Sequence, residues 1–289
     1  MSPATGDPAA VAVALVVALG AVVLLPLGLR LLTAPGLAPL ARVWPLLGLA
    51  AAAAPWLPRG AVAVALASAY LTATLALAGC GLTRALTWWR RGRPGPLTTE
   101  VAVLTALGTP SAGALALVAE RAGVELFGFD LAVLALTAPH LHYAGFVAAL
   151  VAALVHAEVG ASRWARFGAW TVPVGTLLVL GGYFVGDAAE LVGTVVLTAG
   201  TWAVAALVLS RLDALAPRRG AVRTALVGSV ALLPVTMLLA LGWAVTRVAD
   251  LPWLSVEAMV LTHGLGNALG LGLCGVLAWY ALRRTAAPL

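Results

Sequence analysis

Two short polar stretches interrupt otherwise apolar runs of the chain, and both contain histidine. The first is Thr137-Ala-Pro-His-Leu-His-Tyr-Ala-Gly-Phe146, inside an apolar run from 131 to 155. The second is Thr262-His-Gly-Leu-Gly-Asn267, inside the last apolar run. An ionisable group within a bilayer is costly unless it faces a partner or a cavity. Histidine, tyrosine and asparagine in this setting can transfer protons, bind a ligand or join helices.

The spacing within each stretch predicts which side chains share a helix face. His140 and His142 lie about 200° apart on a regular helix, so we expect one to face the bundle centre and the other an adjacent helix. Tyr143 follows His140 by three residues and shares its face, which favours His140 as the central histidine. His263 and Asn267 are four residues apart and share one face. Plain packing is the alternative, with hydrogen bonds from the histidines to Asn267 or to a backbone carbonyl.

Four carboxyl groups near the ends of apolar runs are candidate proton donors, and they are Asp130, Asp187, Glu190 and Glu257. A carboxyl group buried near an apolar interior favours its protonated form. Asp130, Glu190 and Glu257 also occupy first turns of predicted helices, where an acidic side chain stabilises the helix dipole without any chemical role. Both interpretations stay open for these residues.

Aromatic side chains could line a pocket for a lipophilic substrate. Those available away from the ends of apolar runs are Tyr70, Trp170, Tyr183, Trp202 and Trp243. The remaining tryptophans considered lie near run ends and are typical of an interfacial belt: Trp44, Trp56, Trp88, Trp89, Trp164 and Trp253.

The composition excludes an ordinary soluble domain. Hydrophobic residues make up 62% and charged residues 10% of the chain, and the mean hydropathy is +1.04. The net charge of +6 comes from arginines in the breaks between apolar runs, so it reports membrane topology rather than nucleic-acid binding. Cys80 and Cys274 lie in different runs without neighbouring ligand residues, which predicts neither a disulfide framework nor a zinc site.

Apolar runs of 18 or more residues predict an all-α polytopic transmembrane bundle of about nine spans, forming a single integral membrane domain over 1–289. The second run contains Pro45 and Pro55, which allows a re-entrant or interfacial segment instead. The predicted spans are 9–32, 40–57, 61–86, 99–119, 130–155, 167–186, 190–210, 222–246 and 256–281.

The arginines predict the orientation of these spans. Breaks after odd-numbered spans hold most of them, and only Arg59, Arg121 and Arg247 fall on the other side. The positive-inside rule then places the N-terminus outside the cell membrane and the C-terminus in the cytoplasm. Spans five and nine would run in the same direction, with His140 and His263 roughly 15 and 11 Å below their outer ends. We therefore expect the two polar stretches to lie at similar depth and to meet.

The two histidine segments resemble the YndJ-like family of bacterial membrane proteins. The resemblance is carried by His140-Leu-His-Tyr-Ala-Gly-Phe146 and by Thr262-His-Gly-Leu-Gly-Asn-Ala-Leu-Gly270. It implies a helical membrane protein of a family that is often given only a transporter-like label. The layout, though not the motifs, is also loosely similar to that of small membrane-embedded bacterial terpene cyclases.

Three functions fit the polar residues. The first, which we favour because one polar cluster occurs without an internal repeat, is an intramembrane enzyme that acts on a lipophilic isoprenoid-type substrate by acid–base chemistry. A protonation-initiated terpene cyclase is its most specific form. The second is a transporter or proton-coupled permease, with the histidines and outer acids as a relay. The third is a haem protein with His140 or His142 opposite His263.

The enzyme hypothesis carries specific expectations about ligands. Its catalytic candidates are the histidines His140, His142 and His263, with Tyr143, Asn267 and the four acids named above. The expected partners are a lipophilic small molecule and the lipid bilayer, with no nucleic acid. Neither a cofactor nor a bound metal is expected.

Overall fold

The fold is built from long helices. The structure, a computed structural model, describes residues 6–160, 162–217, 220–251, 254–284 and Leu289, and no strand occurs among them. Within these ranges nine helices are long and apolar enough to cross a membrane. They are α1 (Pro8–Leu29), α2 (Leu37–Trp56), α3 (Ala61–Arg90), α4 (Leu97–Ala122), α5 (Leu131–Val159), α6 (Arg163–Val185), α7 (Asp187–Ser210), α8 (Ala221–Ala249) and α9 (Val256–Arg283).

The predicted all-α, multi-pass membrane fold with about nine spans is confirmed. Each predicted apolar run overlaps one helix, because a run long enough to cross a bilayer satisfies its backbone only as a helix. The helices often continue beyond the apolar run into polar residues, as α3 does to Arg90 and α5 to Val159. The second span is a helix of 20 residues that contains Pro45 and ends in a 3₁₀ turn over Ala54–Trp56.

The described chain divides into two compact units. The first contains the described residues within 1–94 and 104–147 together with Leu289, and the second those within 95–103 and 148–287. The stretch with His140 and His142 therefore belongs to the first unit, and the stretch with His263 and Asn267 to the second. The predictions of a single domain and of a meeting between the two stretches stay predictions.

Helix α1 changes its hydrogen-bonding period near its middle. Residues Leu19–Leu24 are π-helical, and the N–H of Leu25 bonds the carbonyl of Gly20, five residues back. The same period would pair the Ala21 carbonyl with the N–H of Pro26, which proline lacks. The indole Nε1 of Trp44 in α2 donates to this carbonyl at 2.9 Å instead. A proline and a π segment in one helix thus fix the position of a second helix.

Helices α6 and α7 form an antiparallel pair whose backbones touch at glycines spaced seven residues apart. A Cβ at Gly175 would lie 2.5 Å from the Leu197 nitrogen, and one at Gly182 would lie 2.5 Å from the Glu190 nitrogen. Only glycine allows this approach, which resembles the small-residue packing of other membrane helices. The pair holds Glu190 in a buried position near the start of α7.

Candidate functional site

His142 is completely buried in the first unit, and both of its ring nitrogens have partners. Its Nδ1 lies 2.6 Å from the carbonyl oxygen of Ala138. Because a carbonyl can only accept, Nδ1 carries the proton, and Nε2 accepts the hydroxyl hydrogen of Tyr70 from α3. This arrangement fixes one neutral tautomer and ties α3 to α5.

The packing around His142 leaves no room for a ligand. The Tyr70 ring stacks on the imidazole with centroids 5.7 Å apart, and the Trp44 ring meets Tyr70 edge-on at 6.0 Å. On the side of α1, a Cβ at Gly20 would lie only 3.3 Å from the His142 Cβ. The first histidine site is therefore a closed, fully hydrogen-bonded cluster of residues from four helices.

His142 is the fully buried histidine of this stretch and His140 is only partly buried, so the helix face that is most enclosed is not the one expected to face the centre. The helix phase is the reason. Residues Leu141–Val147 form a π-helical segment directly after Pro139, so the regular 100° step used to compare faces does not apply. Tyr143 points toward α1, where its hydroxyl donates to the Val16 carbonyl at 3.0 Å.

His263 in the second unit belongs to a smaller polar cluster with Thr236 of α8 and Asn267 of α9. Its Nδ1 lies 2.7 Å from the Thr236 carbonyl oxygen, so Nδ1 carries the proton here too. The Thr236 hydroxyl donates to Asn267 Oδ1 at 2.8 Å. The Asn267 amide nitrogen then lies 3.4 Å from each ring nitrogen, the long end of the hydrogen-bond range. The predicted sharing of one face by His263 and Asn267 agrees with these contacts.

The weakly bonded Nε2 of His263 is the chemical feature of this cluster. Among the described residues Nε2 accepts one long contact, from Asn267, while Nδ1 is held by a backbone carbonyl. Both His263 and Asn267 are partly accessible, whereas Thr236 is buried. Exposed apolar side chains occur nearby along α8 and α9, at Leu232, Val235, Leu261 and Leu269. The cluster thus combines a weakly bonded imidazole nitrogen, held in one tautomer, with helices that are otherwise apolar.

Two of the four predicted acids have structural partners. Asp130 is exposed and caps α5 by accepting hydrogen bonds from the N–H groups of Ala132 and Val133 at 2.9 and 3.0 Å. Asp187 pairs with Arg247 of α8, with 2.6 Å between Oδ1 and Nη2. Such a cap and such an ion pair account for both residues without a catalytic role.

The other two acids both lie in the second unit. Glu190 is buried against Gly182, and its electrostatic neighbours are Arg247, Asp187 and Tyr183. Glu257 is exposed in the first turn of α9, on the same helix as His263. Among the described residues neither side chain is engaged by a helix cap or by an ion pair within 4.0 Å.

Several partner residues were missed by the sequence analysis. Trp44 was assigned to the interfacial belt, and that assignment was wrong because its side chain is fully buried. Tyr70 was considered only as a pocket residue, and Thr236 was not considered at all. The sequence signal that could have pointed toward Trp44 is Pro26, because a proline within a helix frees a carbonyl of the preceding turn. Trp253, also assigned to the belt, lies outside the described residues.

A buried ion cluster in the first unit was also missed. The Glu120 carboxylate accepts from Arg59 at 2.9 Å and from its buried neighbour Arg121, which also bonds the Leu57 carbonyl at 3.0 Å. A cavity of about 20 Å³ adjoins this cluster, between apolar residues of α1 and α5. It has room for about one water molecule, so it cannot accept an isoprenoid.

The chain matches the family model described as YndJ-like protein over residues 15–271, which includes both histidine segments and most of the nine helices. No curated protein and no solved structure matches it.

Proposed function

The chain belongs to the YndJ-like family, and we propose that it is a membrane-embedded enzyme that acts on a lipophilic small molecule by acid–base chemistry at His263. The observation that carries the proposal is the Nε2 of His263, which has one long contact to Asn267 among the described residues and belongs to an imidazole oriented by the Thr236 carbonyl. A general base needs this combination of a fixed tautomer and access for the reacting group.

The proposed role of each group follows from its contacts. A proton transferred from the substrate to His263 Nε2 creates an imidazolium, and the bond from Nδ1–H to the Thr236 carbonyl becomes charge-assisted and stronger. Asn267 is fixed by the Thr236 hydroxyl, so its amide N–H can hold a polar group of the substrate. The apolar surfaces of α8 and α9 would contact the hydrocarbon part.

Cyclisation of an isoprenoid is the most specific form of this proposal. A carboxylic acid would donate a proton to an alkene or epoxide, and His263 would remove a proton from the resulting carbocation, so that one proton enters and one leaves. Glu257 and Glu190 are the proposed donors. Asp130 and Asp187 are less suited because a helix cap and an ion pair already engage them.

Replacement of His263 tests the proposal. We expect His263→Ala to lower product formation from prenylated or epoxidised substrates in membranes about 10²- to 10⁴-fold, the usual contribution of a general acid or base. The matched control is Thr262→Ala, because the exposed Thr262 hydroxyl bonds only the Ala258 carbonyl among its described contacts. Equal turnover in His263→Ala and Thr262→Ala at equal expression would contradict the proposal.

A proton-coupled permease is the second candidate. The observation that favours it is that α5, a span containing histidines, is interrupted by a proline and a π segment, and intramembrane histidines in broken helices occur in proton relays. Proton-driven uptake by the native chain in liposomes would favour this candidate over the enzyme. The haem alternative has less support, because His142 as bonded offers no free nitrogen to iron.

We also propose the orientation indicated by the arginines, with the N-terminus outside the cell membrane and the C-terminus in the cytoplasm. Two of the arginines that support it, Arg218 and Arg219, lie outside the described residues. Thiol labelling of intact cells checks this orientation, since a cysteine introduced at Arg59 should react and one at Arg91 should not. Labelling at Arg91 but not at Arg59 would indicate the opposite orientation.

A further inference from the structure

The last turns of α9 carry one buried and one mostly buried donor side chain, Trp279 and Arg283, which stand four residues apart and so share one helix face. Trp279 is 1% exposed, and its indole Nε1 has no hydrogen-bond partner in the part of the chain that the structure describes. The Arg283 side chain is 13% exposed, and within the same ranges its Nε and Nη1 also lack hydrogen-bond partners. The ion-pair contact found for Arg283 joins its Nε to Glu158 Oε1 at 3.7 Å.

Arg283 differs from the arginines that anchor a helix end in lipid headgroups. Such anchors extend an exposed guanidinium toward water, as the exposed neighbour Arg284 does. Buried N–H groups are almost always paired, because an unpaired one loses its hydration without compensation. The buried indole Nε1 of Trp279 and the buried Nε and Nη1 of Arg283 make no hydrogen bond to the described residues, although Nε lies 3.7 Å from Glu158, and they therefore indicate an acceptor outside the described protein.

The first turn of α8 provides further N–H donors and positive potential at the same end of the second unit as Trp279 and Arg283. Gly266 lies against Thr236 and Gly275 against Ser229, so α8 and α9 run antiparallel. If this antiparallel pairing of residues continues toward the C-terminus of α9, Arg283 lies at the level of Ala221, where α8 starts. The first turn of α8 has no side-chain cap, so its N–H groups and the positive end of its dipole remain available for an anion.

We propose that Trp279 and Arg283, together with the first turn of α8, bind a phosphate group. The indole N–H and the guanidinium would donate to phosphate oxygens, and the partly exposed Glu158 side chain would swing away from Arg283. The site is distinct from the His263 cluster, because 20 residues of helix separate His263 from Arg283, about 30 Å along the axis. A phospholipid headgroup and free inorganic phosphate share this chemistry.

Two measurements on the purified full-length chain distinguish these sources. The first is the thermal unfolding midpoint in detergent with increasing inorganic phosphate, with chloride at matched ionic strength as reference. The second is the same midpoint in nanodiscs of phosphatidylcholine with and without phosphatidylglycerol, two phospholipids of which only the second carries net charge. We expect at least one ligand to raise the midpoint of the native chain.

Three variants decide whether the raised midpoint comes from this site. Trp279→Phe keeps the ring and removes the donor, Arg283→Gln removes the charge, and Arg284→Gln removes the neighbouring exposed charge as a matched control. We expect the first two to weaken the apparent affinity at least about tenfold, the usual effect of losing a charge-assisted hydrogen bond, and the control to retain it. Trp279→Phe decides the question if Arg283→Gln does not fold.

The two ligands distinguish a free phosphate site from a lipid headgroup site. A response to inorganic phosphate identifies a free phosphate site, and a response to phosphatidylglycerol alone identifies a headgroup site. The proposal is overturned if neither ligand raises the midpoint, or if Trp279→Phe keeps the full response. It is also overturned if Arg283→Gln and Arg284→Gln reduce the response equally, because the effect then reflects surface charge alone.

Discussion

The two histidine clusters use the same hydrogen bond and differ in everything around it. In each, Nδ1 donates to a backbone carbonyl, of Ala138 for His142 and of Thr236 for His263. The Nε2 of His142 accepts from Tyr70 in a closed cluster, whereas among the described residues the Nε2 of His263 has one contact, at 3.4 Å, on a partly accessible face. The first arrangement links helices firmly, and the second leaves one ring nitrogen weakly bonded.

An unusual residue in a membrane span does not by itself mark a catalytic site. His142 is the more deeply buried histidine. Its burial is complete because α1, α2 and α3 supply its partners and contacts. A buried polar side chain with every partner present behaves as a specific link between helices. The weak bonding of Nε2, rather than depth in the bundle, is what distinguishes His263.

Replacement of each histidine by alanine gives the largest expected contrast in stability. His142→Ala leaves a cavity and an unpaired Tyr70 hydroxyl, so we expect the free energy of unfolding to fall by roughly 2–3 kcal/mol. His263→Ala breaks one bond on a partly accessible face and should cost about 1 kcal/mol or less. Unfolding in detergent with increasing SDS measures both. A larger loss for His263→Ala would reverse the assignment of the closed and open clusters.

The glycines beside the two histidines sharpen the same contrast. Gly20→Ala places a Cβ 3.3 Å from the His142 Cβ, and His142 cannot yield without losing its hydrogen bonds, so we expect a loss of about 1–2 kcal/mol. Gly264→Ala meets only the Met259 carbonyl at 3.8 Å and should be neutral or gain up to about 1 kcal/mol in a helix. Thermal unfolding of the two variants checks this. Equal effects would mean that His142 is not tightly packed.

The Trp44 donor should give the smallest of these effects. Trp44→Phe keeps most of the ring and leaves the Ala21 carbonyl without its indole partner, so we expect a loss of about 1 kcal/mol. Trp202→Phe is the matched control, because Trp202 is exposed on α7 and should change stability by only a few tenths of a kcal/mol. If the two variants unfold alike, the Trp44 bond does not fix α2 against α1.

Sequence reasoning identified the spans because hydrophobicity over 20 residues is a local property, and α1 to α9 follow the apolar runs closely. It failed where helix phase mattered. Two π segments, Leu19–Leu24 and Leu141–Val147, shift the faces of α1 and α5, and this shift places His142 rather than His140 beside Tyr70. A π segment depends on contacts with other helices, which a single run of sequence does not contain.

Hydropathy over whole spans was enough to predict a multi-pass helical membrane protein, and residue type was enough to name its candidate polar residues. Spacing also predicted the pairing of His263 with Asn267, which holds although His263 lies in a π segment of α9. Only the tertiary structure decided which histidine is closed and which is open. That distinction rests on Tyr70 and Thr236, which lie on other helices and are brought to the histidines by packing between spans.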